Sequence, residues 1–204
     1  KVRKQEVCGV ACDIIVMSQE RGQSSLLPAM LVGGFGEGTL LASLRLSLAI
    51  AQNGSLEHHA KLAMSGILVP ISDSLRNALS QGDIFKFSAC LTLVRFCGPH
   101  VAAGEGNGLQ SVREAIKVAT SVLTIPVDPY MPMEELERHE SIKAECISAL
   151  EALSSNASLW SSISKDALPA IVTYLHSACD SGREDGKDTR CAALRAIMQI
   201  VQLP

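Results

Sequence analysis

Apolar residues along this chain recur at spacings of three and four, the period of helices that bury one face. The clearest segment is Gly38–Gln52, GTLLASLRLSLAIAQ, where Leu41, Leu44, Leu48 and Ala51 fall on one side with Ala42 and Ala49 between them. Ile84–Cys97, Ser141–Leu153 and Thr189–Val201 carry the same pattern, each preceded by the Gly, Asp, Glu or Ser residues that turn the chain and cap helices. A further helix is predicted over Leu109–Leu123, after the Gly104–Gly108 turn. No segment alternates as a half-buried strand would, so the pattern predicts an all-α chain.

Four of these helices share one register. Leu46 to Leu93 is 47 residues, Leu93 to Ala149 is 56, and Ala149 to Ala196 is again 47. Three positions before these markers the residue is always small (Ser43, Cys90, Cys146, Ala193), and four positions after them stand Ile50, Cys97, Leu153 and Ile200. The long interval contains Thr124–Pro132, whose Pro126, Pro129 and Pro132 cannot lie in a helix interior, so an inserted loop accounts for the excess. A second element recurs upstream: Leu27-Pro-Ala-Met-Leu31 matches Leu168-Pro-Ala-Ile-Val172, and Gly66–Ile71 is a looser copy ahead of Ser72–Leu79. Each reads as a helix with Pro in its opening turn, where the missing N–H leaves no bond unmade.

A short helix, a helix opening on a Leu-Pro-Ala-Ile-Val-like phrase and a longer helix rich in small residues together resemble the armadillo repeat family. The fullest copy runs from Ser158 through Asp166–Leu175 to Cys191–Ile197, and a second runs from Leu56–Leu62 through Gly66–Leu79 to Phe85–Phe96. The period fits armadillo repeats and the neighbouring HEAT class, both about 40 to 47 residues long. The resemblance implies a right-handed α-solenoid of stacked three-helix units, a single repeat domain over residues 1–204. Its approximate units are 1–22 (partial), 23–53, 54–101, 102–156 and 157–204. The first residue is Lys1 rather than Met, and the predicted end helices, Val7–Met17 and Ala192–Leu203, keep an apolar face; both features are read as a piece of a longer chain with further repeats on either side.

Composition narrows the function. The chain is 47% hydrophobic but only 3% aromatic, so its core is aliphatic and base-stacking platforms are scarce. With 18 Lys and Arg against 21 Asp and Glu, the formal charge is −3, which offers no long-range attraction to polyphosphate; nucleic-acid binding is not expected. Apolar runs such as Leu26–Phe35 are broken well short of the ~20 residues that cross a bilayer, so no membrane insertion is expected. Seven cysteines (Cys8, Cys12, Cys90, Cys97, Cys146, Cys179 and Cys191), an odd number set mostly within apolar segments, point to a reducing, cytoplasmic setting in spite of the sequons at Asn53 and Asn156.

Candidate chemistry is sparse. Gly33–Gly38 is the one loop that could cradle phosphate ahead of a helix, but it matches no dinucleotide or P-loop spacing and no Lys follows it. Cys8 and Cys12 stand one turn apart without the further ligands that zinc needs. His58 and His59 are adjacent and point to different sides of a helix, while His100, His139 and His176 are isolated. Glu134, Glu135, Glu137 and Glu140 stand where acids favour a helix start. Neither a metal nor a cofactor is called for, no nucleophile and base are paired, and an enzyme is not expected.

In the armadillo family the third helices line a concave groove that binds extended peptides. Carried onto this chain, that places Arg45 and Arg195 at equivalent positions, with Thr92 and Ser148 between them in the register. Lys86, Arg95, Lys143 and Arg190 complete a mildly basic candidate groove for an acidic or phosphorylated segment. The Trp and Asn ladder of nuclear import receptors is missing, since Trp160 falls on a first helix. The expected function is therefore a non-catalytic scaffold for protein partners. Two alternatives remain: a chaperone-adaptor or vesicle-tether segment, and an all-α nucleotide-binding module built on Gly33–Gly38.

Overall fold

Among the described residues the long segments with helical apolar spacing form helices, and there is no strand. The computed structural model describes residues 6, 7, 9–11, 26–32, 36–102, 106–128, 130–180 and 187–202. In chain order the helices are α1 (Leu26–Leu31), α2 (Glu37–Asn53), α3 (Leu56–Met64), α4 (Leu68–Gln81), α5 (Ile84–Cys97), α6 (Gly106–Leu123), α7 (Met133–Leu153), α8 (Trp160–Ser162), α9 (Leu168–Asp180) and α10 (Lys187–Val201). Short 3-10 turns follow α5 and precede α8, and a π-helical stretch, Ile163–Ala167, joins α8 to α9. None of the described helices is long and apolar enough to cross a membrane. The chain divides into two compact units, residues 1–112 and 113–204.

In the first unit α5 is the centre. It packs on α4, α2 and α3, and Phe87, Ala89, Cys90, Leu91, Leu93, Val94 and Cys97 are all buried. Apolar residues on nearly every side suit a helix enclosed by neighbours rather than one laid on a surface. Its entry is fixed by two local devices. Gly82 ends α4 in the left-handed region at φ 69°, with the Asp83 N–H donating to the Ala78 carbonyl at 2.9 Å. The Asp83 carboxylate then caps α5 by accepting from the Lys86 N–H at 3.0 Å. At the α2–α3 turn Gly54 is required for space: a Cβ there would lie 2.5 Å from the Ile50 carbonyl oxygen and 2.9 Å from His58 Cβ.

In the second unit α10 packs on α7 and on α9. Its core includes Ile147, Leu150, Leu159, Ile163, Ile171 and Tyr174, each no more than 1% exposed. The Trp160 indole N–H donates to the Ser154 carbonyl at 2.9 Å and ties α8 to the end of α7.

The register seen in the sequence is also a register of burial. Ser43, Cys90, Cys146 and Ala193 are at most 2% exposed, and Ile50, Cys97, Leu153 and Ile200 at most 3%. Helices one interval apart lie side by side within each unit, α2 on α5 and α7 on α10. At the markers themselves the match is partial: Leu93, Ala149 and Ala196 are buried, whereas Leu46 is 46% exposed. Residues 54–101 hold the expected three helices, α3, α4 and α5. Residues 102–156 hold two long ones, α6 and α7, because α6 runs unbroken from Gly106 to Leu123 and no short first helix is split off from it. The predicted helix Val7–Met17 lies largely outside the described residues.

Two substitutions test this packing by urea denaturation. Gly54→Ala, which forces a Cβ against the Ile50 carbonyl, is expected to cost about 2 kcal/mol. Ala193→Leu, at a fully buried small position of α10, is expected to cost about 1–3 kcal/mol by overpacking. A neutral Ala193→Leu would mean that α10 does not lie closely against α7.

Candidate functional site

The groove predicted from the sequence draws on three kinds of position, and the structure separates them. One residue before the register markers, Arg45 and Arg195 are exposed while Thr92 and Ser148 are half-buried. The Arg195 Nε lies 3.8 Å from Glu151 Oε1 of α7, a neighbour the sequence reading did not select. Arg95 is exposed, with its guanidinium carbon 5.5 Å from the centroid of the Phe96 ring. All three arginines are exposed.

Lys86 is engaged within the first unit. Its Nζ lies 3.1 Å from Glu37 Oε1 and 3.2 Å from Asp83 Oδ2, joining the start of α5 to the start of α2. The hydrogen bond that the ammonium donates to Glu37, then that to Asp83, raises it above its ordinary value. The Asp83 carboxyl is held below the ordinary range, chiefly by the Lys86 backbone N–H.

Lys143 is turned inward at 3% exposure. Its Nζ donates to the Ile125 carbonyl at 3.0 Å and stands 5.6 Å from the centroid of the Tyr174 ring. Burial lowers the ammonium, and Glu140 partly opposes that effect. Tyr174 is 1% exposed and donates its phenol O–H to Glu140 Oε2 at 2.8 Å. Burial first, then the Glu140 hydrogen bond, pushes the phenol up. Lys143 and Arg190 both stand six positions before a marker, where α5 carries the buried Phe87; counting from the markers was the signal for this inward placement. Arg190 is half-buried and bears electrostatically on Tyr174.

A cleft of about 400 Å³ opens in the first unit among α1, α2, α4 and α5. Leu31, Val32, Leu40 and Ala78 give it apolar walls, and Glu37, Ser74, Asn77, Gln81 and Lys86 line its polar side. Asn77 and Gln81, one turn apart on α4, were not among the sequence candidates. Of the glycine-rich loop beside it, Gly33, Gly34 and Phe35 lie outside the described residues; Gly36 has φ 91° and leads directly into Glu37. The helix start beside this loop thus carries a carboxylate, and the nearby Lys86 is already matched by two acids.

The histidines divide by role. His58 accepts the Ser55 N–H on Nδ1 at 2.9 Å and caps α3. His59 is buried, with Nε2 2.8 Å from the Ala51 carbonyl, which requires the proton on Nε2. Its ring centroid lies 5.0 Å from that of Phe96 and 6.0 Å from that of His100. Burial holds both His59 and His100 below the ordinary imidazole value; for His59 the hydrogen bond to Ala51 partly opposes that effect, while the neighbouring His100 and His58 add to it. Among the described residues no three His, Cys, Asp or Glu side chains gather as a metal site would require. Cys8 and Cys12 lie outside them. Burial pushes the Cys90 thiol up to about 12 and raises Cys146 further, so neither is a ready nucleophile. The sequon asparagines serve the backbone: Asn53 Nδ2 donates to the Ala49 carbonyl, and Asn156 Oδ1 accepts from the Ser158 N–H.

The lowered histidines fix a sign for pH. Between their folded values and the unfolded value near 6.5, the unfolded chain binds more protons, so stability is fully present above about pH 6.5 and declines as pH falls through that window. Urea midpoints should therefore drop below about pH 6.5. His59→Gln, which can still donate to Ala51, should reduce that slope, and an unchanged slope would show that His59 is not buried in its neutral form.

No protein-family model matches the chain, and neither the curated proteins nor the solved structures provide a match.

Proposed function

We propose that the chain is a right-handed α-solenoid of armadillo-like repeats and serves as a non-catalytic scaffold for an extended protein segment. The observation that carries this reading is the pairing of helices one repeat apart, α2 on α5 and α7 on α10, with the same small position buried on all four. Helices that pack on their own equivalents leave a further face over, and in a solenoid such faces together form the binding surface. By register position the candidate groups are Arg45 on α2 and Thr92 and Arg95 on α5 in the first unit, and Ser148 on α7 and Arg195 on α10 in the second. An acidic or phosphorylated partner suits these groups, since guanidinium forks pair with carboxylates and phosphates. The free thiols buried at Cys90, Cys97 and Cys146 suit a cytoplasmic protein.

The test is capture of a fluorescent, glutamate-rich peptide followed by anisotropy. Joint replacement of Arg45, Arg95 and Arg195 by Glu should weaken binding at least about tenfold, or about 1.4 kcal/mol, with the helical circular dichroism unchanged. Lys143→Met should leave binding within about twofold, because that ammonium faces the Ile125 carbonyl rather than solvent. Equal affinity of the triple variant and the unaltered chain would reject the arginine surface.

A further inference from the structure

We propose that Tyr130 is a phosphorylation site, and that the phosphorylated loop is bound by a protein module pairing an arginine-lined anion pocket with an apolar slot. The inference draws on the loop over residues 124–135 and the groups that hold it, and does not depend on the repeat reading.

The chain has two tyrosines, and their environments are opposite. Tyr174 is 1% exposed with its phenol bonded to Glu140, whereas Tyr130 is 92% exposed. The loop around Tyr130 is held by groups other than its ring. Lys143 grips the Ile125 carbonyl at the near end, and the Leu136 N–H donates to the Pro132 carbonyl at 3.0 Å at the far end. Between them Asp128 forms the turn, accepting the Tyr130 N–H on Oδ1 at 2.9 Å and the Met131 N–H on its carbonyl at 3.0 Å. A large aromatic side chain is thus displayed at a turn that does not use it.

The segment is also suited to an enzyme or reader that binds extended chain. Pro132 sits at φ −57° and ψ 144°, the polyproline II conformation, so part of the ordering that docking requires is already in place. Drawn out, the seven residues 126–132 span roughly 23 Å. Met133 is 60% exposed and Met131 half-buried, and their flexible thioethers adapt readily to an apolar slot.

In the transfer, the phenol oxygen bonds to the γ-phosphorus of a nucleoside triphosphate while the bond from that phosphorus to its bridging oxygen breaks. The phenolic proton passes to a base of the tyrosine kinase, and nucleoside diphosphate leaves. The product gains about −1.5 to −2 charge. Its sequence neighbours are the acids Asp128, Glu134 and Glu135; Arg138 already pairs with Glu134 at 3.5 Å, and Lys143 is buried. A dianion in acidic surroundings calls for cations from outside, and arginine clusters of phosphate-reading modules supply them.

The folded chain should be treated with a soluble tyrosine kinase and Mg–ATP, with sites read by tandem mass spectrometry. Label is expected at Tyr130 and not at Tyr174, while a proteolytic digest is labelled at both; Tyr130→Phe should remove the label from the folded chain. A recombinant phosphotyrosine-binding domain selecting Met three residues after the phosphate should hold the phosphorylated chain at least tenfold more tightly than the unmodified one. Met133→Ala should forfeit most of that gain. Phosphopeptides spanning Tyr130 should also be recovered from phosphatase-inhibited source cells. The proposal fails if the digest is labelled at Tyr130 but the folded chain is not, or if phosphorylation leaves affinity for the reader unchanged. It fails equally if source-cell peptides covering Tyr130 carry no phosphate while other phosphotyrosine peptides are recovered.

Discussion

The close approach of long helices to their own equivalents is the constraint on which the rest depends. Small side chains let helices approach closely, and α2, α5, α7 and α10 each bury a serine, cysteine or alanine at the same register position. A serine there must satisfy its hydroxyl internally. Ser43 and Ser47 do so by donating to the Thr39 and Ser43 carbonyls, each at 2.8 Å, so the polar atoms on α2 carry no unmet bond into the contact. Cysteine fills the same need on α5 and α7 as a small apolar group, and burial keeps those thiols protonated.

How much of this was legible follows from what each helix had to do. α5 matches its predicted limits because it is apolar on nearly every side and bounded by Asp83 and Gly98. Apolar spacing alone marks α7 only from Ser141, whereas the helix begins at Met133; its start is marked instead by the acids Glu134 and Glu135, which the sequence reading placed at a helix start because they favour its dipole. Periodicity reports burial, so it cannot see a turn that stands in solvent. The exposed Leu46 fails as a marker for a related reason: the three- and four-residue spacing of its neighbours defines a face, and Leu46 lies off it.

The candidate groove was legible in part. Counting from the register markers separates Arg45 and Arg195, which are exposed, from Lys143, which shares the inward position of Phe87, but the sequence reading set all three in one groove without using that count. Residue type alone could not, because a lysine is expected outside until a specific acceptor is known. The acceptor is the Ile125 carbonyl, on a proline-rich loop eighteen residues earlier. Such pairings across long sequence separations, like Lys86 with Glu37 or Tyr174 with Glu140, leave no local pattern to read.

These pairings also limit what charge can achieve at the proposed surface. With Lys86 and Lys143 committed to internal partners, the exposed arginines among the six basic residues first considered are Arg45, Arg95 and Arg195, the last 3.8 Å from Glu151, alongside a half-buried Arg190. An exposed ion pair contributes about 0–1 kcal/mol. Three such pairs therefore reach no more than about 3 kcal/mol, short of the roughly 4 kcal/mol that even millimolar affinity represents. The balance has to come from apolar contact, and the same helices offer it: Leu46 at 46% exposure beside Arg45, and Leu194 at 53% and Met198 at 62% around Arg195. A guest with acids alone would be steered to this surface and then released. On the proposed reading, one that also carries apolar side chains would be held, so within each unit the arginines would steer the guest while the exposed leucines or methionine set its residence.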